Sequence, residues 1–223
     1  MPDSPRRAVL FDLDGTLVDT ITLLLESVRH AFKGRTGRVP TDEEWISGIG
    51  TPLASQLRPY AADEADVSAL EQSYRGYQRA HLDRLTHAYS GVVDTLRTLH
   101  ERGHPMAVVT SKSNEMAIRT VDYVGLAPYF AVVVGQESTT KHKPAPEPVL
   151  FALEQLHAPV AGAVFVGDSP YDIRSGNAAG VISVAAVWGF YSRTVLEAAH
   201  PAHLLEHISG LPTLLDSLPG GAA

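Results

Sequence analysis

The chain has 223 residues, 44% of them hydrophobic, with 18 Lys and Arg against 25 Asp and Glu for a formal net charge of −7. That length holds one domain, or one domain carrying a smaller insertion, and the acidic balance argues against a nucleic-acid partner, which selects a basic face or stripe. The absence of cysteine removes disulfide frameworks, thiolate zinc sites and cysteine nucleophiles.

The stretch 1–7 is short and polar, and the apolar run 8–11 stops at Asp12, too soon for a signal-peptide core. No uninterrupted apolar run approaches the roughly 18 residues of a membrane span. A soluble cytoplasmic protein without a membrane partner is expected, with monomer and dimer both open. Runs 8–11, 106–109, 131–134, 163–166 and 181–184 are short, continuously apolar and largely β-branched, as strands buried on both faces are. Helix-compatible stretches such as 113–124 and 146–156 follow them, and this alternation predicts an open parallel α/β sheet.

The interval 18–88 breaks the rhythm. It offers no strand and patterns as helices: Thr41 and Glu44 fit a capping box, Pro52 suits a first helical turn, and 63–85 reads as one long polar helix weakened by Gly76. Either this is an inserted all-helical domain or an elaborate crossover packed on the sheet. The division preferred is a core of 1–17 plus 89–223 and a helical cap of 18–88. The Gly/Ala tail at 220–223 is expected to fray.

Open α/β sheets bind ligands at the carboxyl ends of their strands. The first predicted strand ends in Asp12-Leu13-Asp14-Gly15-Thr16, and strand alternation puts Asp12 and Asp14 on one face. Two such carboxylates repel unless a cation lies between them or one is protonated; the bland alternative is an Asp-Gly turn. The second ends in Thr110-Ser111-Lys112-Ser113, hydroxyls and N–H groups suited to an anion or simply to helix capping. After the third come Lys141 and Lys143, either solvated or able to neutralise a phosphate or a carboxylate nucleophile; Pro144 makes Lys143 the better candidate. The fourth ends in Gly167-Asp168-Ser169-Pro170-Tyr171-Asp172, whose hard oxygens suit magnesium. Four consecutive strand ends carrying carboxylates, hydroxyls, ammonium and carboxylates are far more specific than any one of them.

In that order, Phe11 through Asp19, Thr110, Lys143-Pro144 and Gly167-Asp168-Ser169 with Asp172 resemble the four motifs of the haloacid-dehalogenase superfamily. The resemblance implies a Rossmann-like core with a helical cap inserted after the first motif, and Mg2+-dependent hydrolysis of a small phosphorylated metabolite. Carried over, Asp12 is the nucleophile and Asp14 the acid/base, while Thr110 and Lys143 hold and neutralise the phosphoryl group. Asp12, the Asp14 main-chain carbonyl and Asp168 bind the metal, with Ser111 and Asp172 in support. An acid at position 14 favours phosphate esters, anhydrides or phosphomutase chemistry over dehalogenation. Residues 48–52 and Val187-Trp188-Gly189 are similar to the phosphoglycolate phosphatase branch, and Ser73-Tyr74-Arg75 through Tyr89 resembles bacterial pyrophosphatases of that branch. Phosphoglycolate is therefore the first expected substrate and pyrophosphate the second, with Arg58, Arg75 and Arg79 as cap donors for a second anion. A silent binding protein or a phospho-aspartate receiver are the competing classes; the complete acidic set opposes the first, and length with the helical insertion opposes the second.

Overall fold

Val9–Phe11 form strand β1, and all three side chains are fully buried. Their alternation decides where the core lies. Val9 and Phe11 face one apolar cluster and Leu10 the opposite one. At about 1.5–3 kcal/mol for each such side chain removed from water, β1 anchors both layers. It pairs in parallel with β4 (Met106–Val109) on one side and β6 (Val164–Gly167) on the other. The full order is β5-β4-β1-β6-β7-β8, with β5 at Val132–Val134, β7 at Ile182–Ala186 and β8 at His203–Leu205, every pairing parallel. The chain winds outward from β1 to β5, then returns to build the other half, so the reversal falls beside β1, where a crevice forms at the strands' carboxyl ends.

Helices cover both faces. α5 (Val92–Glu101), α6 (Asn114–Tyr123) and α10 (Leu211–Ser217) contribute to the cluster of Val9 and Phe11; α7 (Glu147–Gln155) and α8 (Pro170–Ala179) contribute to that of Leu10. α9 (Arg193–Glu197) lies between β7 and β8. The α/β fold expected from the alternation is present. β8 was not expected: its half-buried His-Leu-Leu lacks the continuous β-branched run that marks the interior strands.

Between β1 and β4 lie α1 (Ile21–Ala31), α2 (Asp42–Gly48), α3 (Leu53–Leu57) and α4 (Glu64–Leu85). They enclose their own apolar cluster, which includes Leu24, Val28, Trp45, Leu57, Leu70 and Tyr74. The Thr41–Glu44 capping box opens α2, whereas Pro52 sits one residue outside α3 at its N-cap. Gly76 does not interrupt α4, because a helix with partners along its buried face tolerates the propensity loss of about 1 kcal/mol. The expectation of no strand in 18–88 needs correction: β2 (Val18–Asp19) and β3 (His87–Ala88) pair antiparallel at the two ends of the helical segment. Strands of two residues leave no periodic trace. Residues 6–219 are described by this computed structural model, so the Gly/Ala tail at 220–223 and residues 1–5 lie outside it. Among the described residues no helix is long and apolar enough to cross a membrane.

Candidate active site

β1 stops at Phe11, so strand alternation does not place Asp12 and Asp14, as the sequence suggested. A turn does it instead. The N–H groups of Leu17 and Val18 both return to the Leu13 carbonyl, at 2.9 and 3.0 Å, and Gly15 takes a φ of +84° that few other residues adopt. Asp12 is buried directly beyond β1, its main-chain N–H donating to the Val166 carbonyl at 2.9 Å. Asp12 and Asp14 line one cavity together with Thr110 and Ser111.

Behind Asp12 lies a buried ion cluster. Lys143, only 3% exposed, places Nζ 2.9 Å from Asp12 Oδ1 and 2.6 Å from Asp172 Oδ1. Asp172 Oδ2 accepts from the Ser169 N–H at 3.0 Å and its hydroxyl at 2.6 Å, inside the capping box that starts α8. Asp168 accepts from the Thr16 hydroxyl at 3.1 Å and from the Phe190 main-chain N–H at 2.8 Å. It fits only because its neighbours lack side chains: a Cβ on Gly15 or on Gly189 would stand 2.2 Å from it. Lys141, the alternative to Lys143, is exposed and pairs with Glu147.

One carboxylate oxygen from each of Asp12, Asp168 and Asp172 lies within 4.8 Å of the others. Burial first, then repulsion from Asp172, pushes the Asp12 carboxyl up to about 7. Burial and the charges of Asp12 and Asp172 likewise raise Asp168 well above the carboxylate range. Burial opposes the charge of Lys143, but the two carboxylates outweigh it and hold the ammonium above its ordinary value. Were all three carboxylates ionised, one ammonium would leave two negative charges unbalanced in a desolvated site, which is why Asp12 and Asp168 are pushed toward their protonated forms. A divalent cation with hard-oxygen preference fits that deficit.

The Asp14 carboxylate stands outside this cluster. Its Oδ1 accepts from the Thr20 hydroxyl at 2.7 Å and from Lys112 Nζ at 2.8 Å. Lys112 is 5% exposed at its side chain and lines the cavity. Sequence reasoning gave it no role, although it stands two residues after Thr110 in the quoted run; Thr16 and Thr20 were likewise passed over. Of the three arginines of the helical segment singled out in the sequence, only Arg75 lines the cavity, near Gln136, with Glu71 at 3.2 Å. Arg58 and Arg79 are exposed and occupied by Glu64 and Glu115.

The family model for haloacid dehalogenase-like hydrolases matches residues 9–187. The chain belongs to that family. Among curated relatives of this haloacid dehalogenase-like hydrolase, a protein from Caldanaerobacter subterraneus subsp. tengcongensis that bears the name pyrophosphatase PpaX provisionally is 42% identical over 199 residues, covering 89% of this chain and 90% of the relative. Pyrophosphatase PpaX of Halalkalibacterium halodurans is 34% identical over 212 residues, covering 93% and 94%. The crystal structure of a predicted phosphatase from Clostridium acetobutylicum superposes with a TM-score of 0.85 at 26% identity, covering 96% of this chain and all of that one. The chain is a phosphohydrolase, its sheet and surrounding helices those of the family fold.

Proposed function

We propose that this hydrolase uses Mg2+ to hydrolyse a small, highly anionic phosphate compound through an aspartyl-phosphate on Asp12, with pyrophosphate as substrate. The carrying observation is the pair of cations on the cavity wall, Lys112 from the loop after β4 and Arg75 from α4, beside the carboxylates of Asp12 and Asp14. A compact substrate with a second anionic group meets both. The names of the relatives move pyrophosphate ahead of phosphoglycolate, the substrate expected first from sequence. Phosphoglycolate offers a carboxylate to the same two cations and is the second reading.

Asp12, the Asp14 carbonyl and Asp168 would hold the cation, which supplies Lewis-acid stabilisation of phosphoryl charge. The rest is done by side chains. Lys143 fixes one Asp12 oxygen and offsets its charge, so that the carboxylate attacks phosphorus while the bond to the bridging oxygen breaks. Asp14 gives its proton to that departing oxygen, then takes one from the water that attacks the phosphorylated Asp12, releasing orthophosphate and restoring the carboxylate. Splitting the reaction at a carboxylate makes two easier steps, and Thr110 positions the transferred group, which is most of what phosphoryl transfer needs. Helices α1 to α4 act as a cap over 18–88 that excludes water. The test is turnover of pyrophosphate, phosphoglycolate and several sugar phosphates, each with Mg2+ and with chelator. A sugar phosphate preferred ten-fold over both small anions overturns the substrate reading.

A further inference from the structure

Helix α2 ends at Gly48, and the last carbonyls of a helix have no partners inside it. Here the carbonyls at and beyond that end find partners outside the helical segment. The Tyr191 hydroxyl lies 2.8 Å from the Ser47 carbonyl oxygen and 2.9 Å from that of Ile49, so its single proton is shared between them. The Tyr171 hydroxyl reaches the same Ser47 oxygen at 3.3 Å, and the Ser111 hydroxyl donates to the Gly50 carbonyl at 2.6 Å. All three hydroxyls follow strands of the main sheet, and all the acceptors belong to the helical segment.

The fit is close as well as polar. Gly50 has a φ of +103°, and a Cβ there would come within 2.8 Å of the Ser169 hydroxyl and 3.1 Å of the Tyr171 ring. Ile49, Gly50 and Thr51 line the catalytic cavity, so seating this loop completes its wall. A second cavity is bounded by Ser47, Gly48 and Tyr171 and shares Trp45, Thr51 and Gln56 with the first. The loop therefore borders both cavities. Its anchor is tied to the carboxylate cluster, because Phe190, next to Tyr191, packs its ring on the helical segment's apolar cluster while its N–H holds Asp168.

We propose that Tyr191 and Ser111 are positioning residues that act through the main-chain carbonyls of the cap loop, holding it seated over Asp12 during phosphoryl transfer. The assignment rests on the aspartyl-phosphate and cap readings above, and its test separates from theirs. Tyr191→Phe keeps the packed ring and removes only the proton that is shared; Ser111→Ala removes one hydroxyl; the double variant removes both. Hydrogen exchange of the amides at 47–51, measured on the Mg2+-loaded enzyme without substrate, reads the seating directly. Each single variant should speed that exchange about two- to ten-fold, the range of one ordinary hydrogen bond, and the double roughly by the product, while exchange in β1 and β6 stays unchanged. For an aryl phosphate, kcat/KM should fall in parallel, chiefly through KM. Unchanged exchange at 47–51 in the double variant overturns the proposal, and so does faster exchange spread evenly over the sheet, which marks a merely structural loss. A wild-type enzyme inert toward aryl phosphates and pyrophosphate alike would instead sink the proposed substrate and aspartyl-phosphate reading and leave the exchange result to decide the positioning role.

Discussion

Lys112 Nζ stands 2.8 Å from the carboxylate of Asp14, both of them on the wall of the cavity that holds Asp12. The acid/base assigned to Asp14 is thus paired with a cation on the wall of the same cavity. The Thr20 hydroxyl fixes the same oxygen at 2.7 Å, so the side chain is aimed rather than mobile. Asp14→Asn should therefore slow phosphorylation of Asp12 by alkyl phosphates far more than by aryl phosphates, because an alkoxide needs a proton as it leaves and a stabilised phenolate does not. Single-turnover phosphorylation is the measurement, since both substrates share the later water attack. Equal losses would remove Asp14 from the acid role.

Asp12→Asn should abolish turnover and leave the fold intact. The amide keeps the shape and loses the nucleophile. Burial and Asp172 already disfavour the Asp12 charge, and Lys143 keeps Asp172 as a partner after the change. In chelator the variant should consequently melt no lower than the wild type. Residual turnover above a tenth of wild type would take the nucleophile role from Asp12.

Much of this site was legible because strand ends are where an open sheet must place its chemistry. Asp12, Thr110 and Asp168 each follow an interior strand directly, and those strands announce themselves by unbroken apolar runs. Lys112 and Tyr191 were not legible. Their contacts depend on how a turn leaves the strand and on where a helical segment distant in sequence comes to rest. The Lys112 side chain goes to Asp14 while the adjacent Ser111 goes to Gly50, and nothing in the letters distinguishes the two directions. Three arginines on polar helices look equivalent for the same reason; all three pair with glutamates, and of the three Arg75 alone lines the cavity.

Arg75→Ala should lower kcat/KM for pyrophosphate by about ten- to hundred-fold, the range of a charge-assisted hydrogen bond of about 1.5–3 kcal/mol. Arg58→Ala and Arg79→Ala should change it by less than about two-fold, because exposed ion pairs contribute little and neither residue lines the cavity. A neutral alkyl phosphate should be hydrolysed nearly as well by all three variants as by wild type. An equal loss for the alkyl phosphate in Arg75→Ala would mean that Arg75 does not read the second anion.

Gly189→Ala should weaken metal binding without unfolding the protein. The added Cβ meets the Asp168 side chain at 2.2 Å, and Asp168 is fixed from two other directions by Thr16 and the Phe190 N–H. The carboxylate must move, and Mg2+ tolerates poor octahedral geometry badly. The Mg2+ concentration giving half-maximal turnover should rise at least about ten-fold, in line with the loss typical of disturbing a ligand's supporting contacts. An unchanged Mg2+ dependence would show that Asp168 is not a ligand.

Mg2+ should stabilise the protein against heat, and more strongly at pH 8 than at pH 5. The sign follows from the metal-free site. Burial and Asp172 raise the Asp12 carboxyl from its ordinary 3.8 to about 7, so between those values the folded chain binds a proton that the unfolded chain has released. Metal-free stability from this group is therefore full below about pH 4 and declines as pH rises toward 7, by linkage. Asp168 shifts in the same direction and adds to the decline. A divalent cation replaces those protons and relieves the repulsion that their loss creates, while at pH 5 it must compete with them. With Mg2+ at about a hundred times its Kd, linkage gives about 2.7 kcal/mol, which for a chain of this size raises Tm by roughly 5–10 °C at pH 8. Melting curves with Mg2+ and with chelator at pH 5, 6, 7 and 8 measure the trend, and Asp12→Asn should flatten it by removing one titrating partner. A gain in Tm that is equal at pH 5 and pH 8, or absent at both, would mean that Asp12 and Asp168 do not hold the cation.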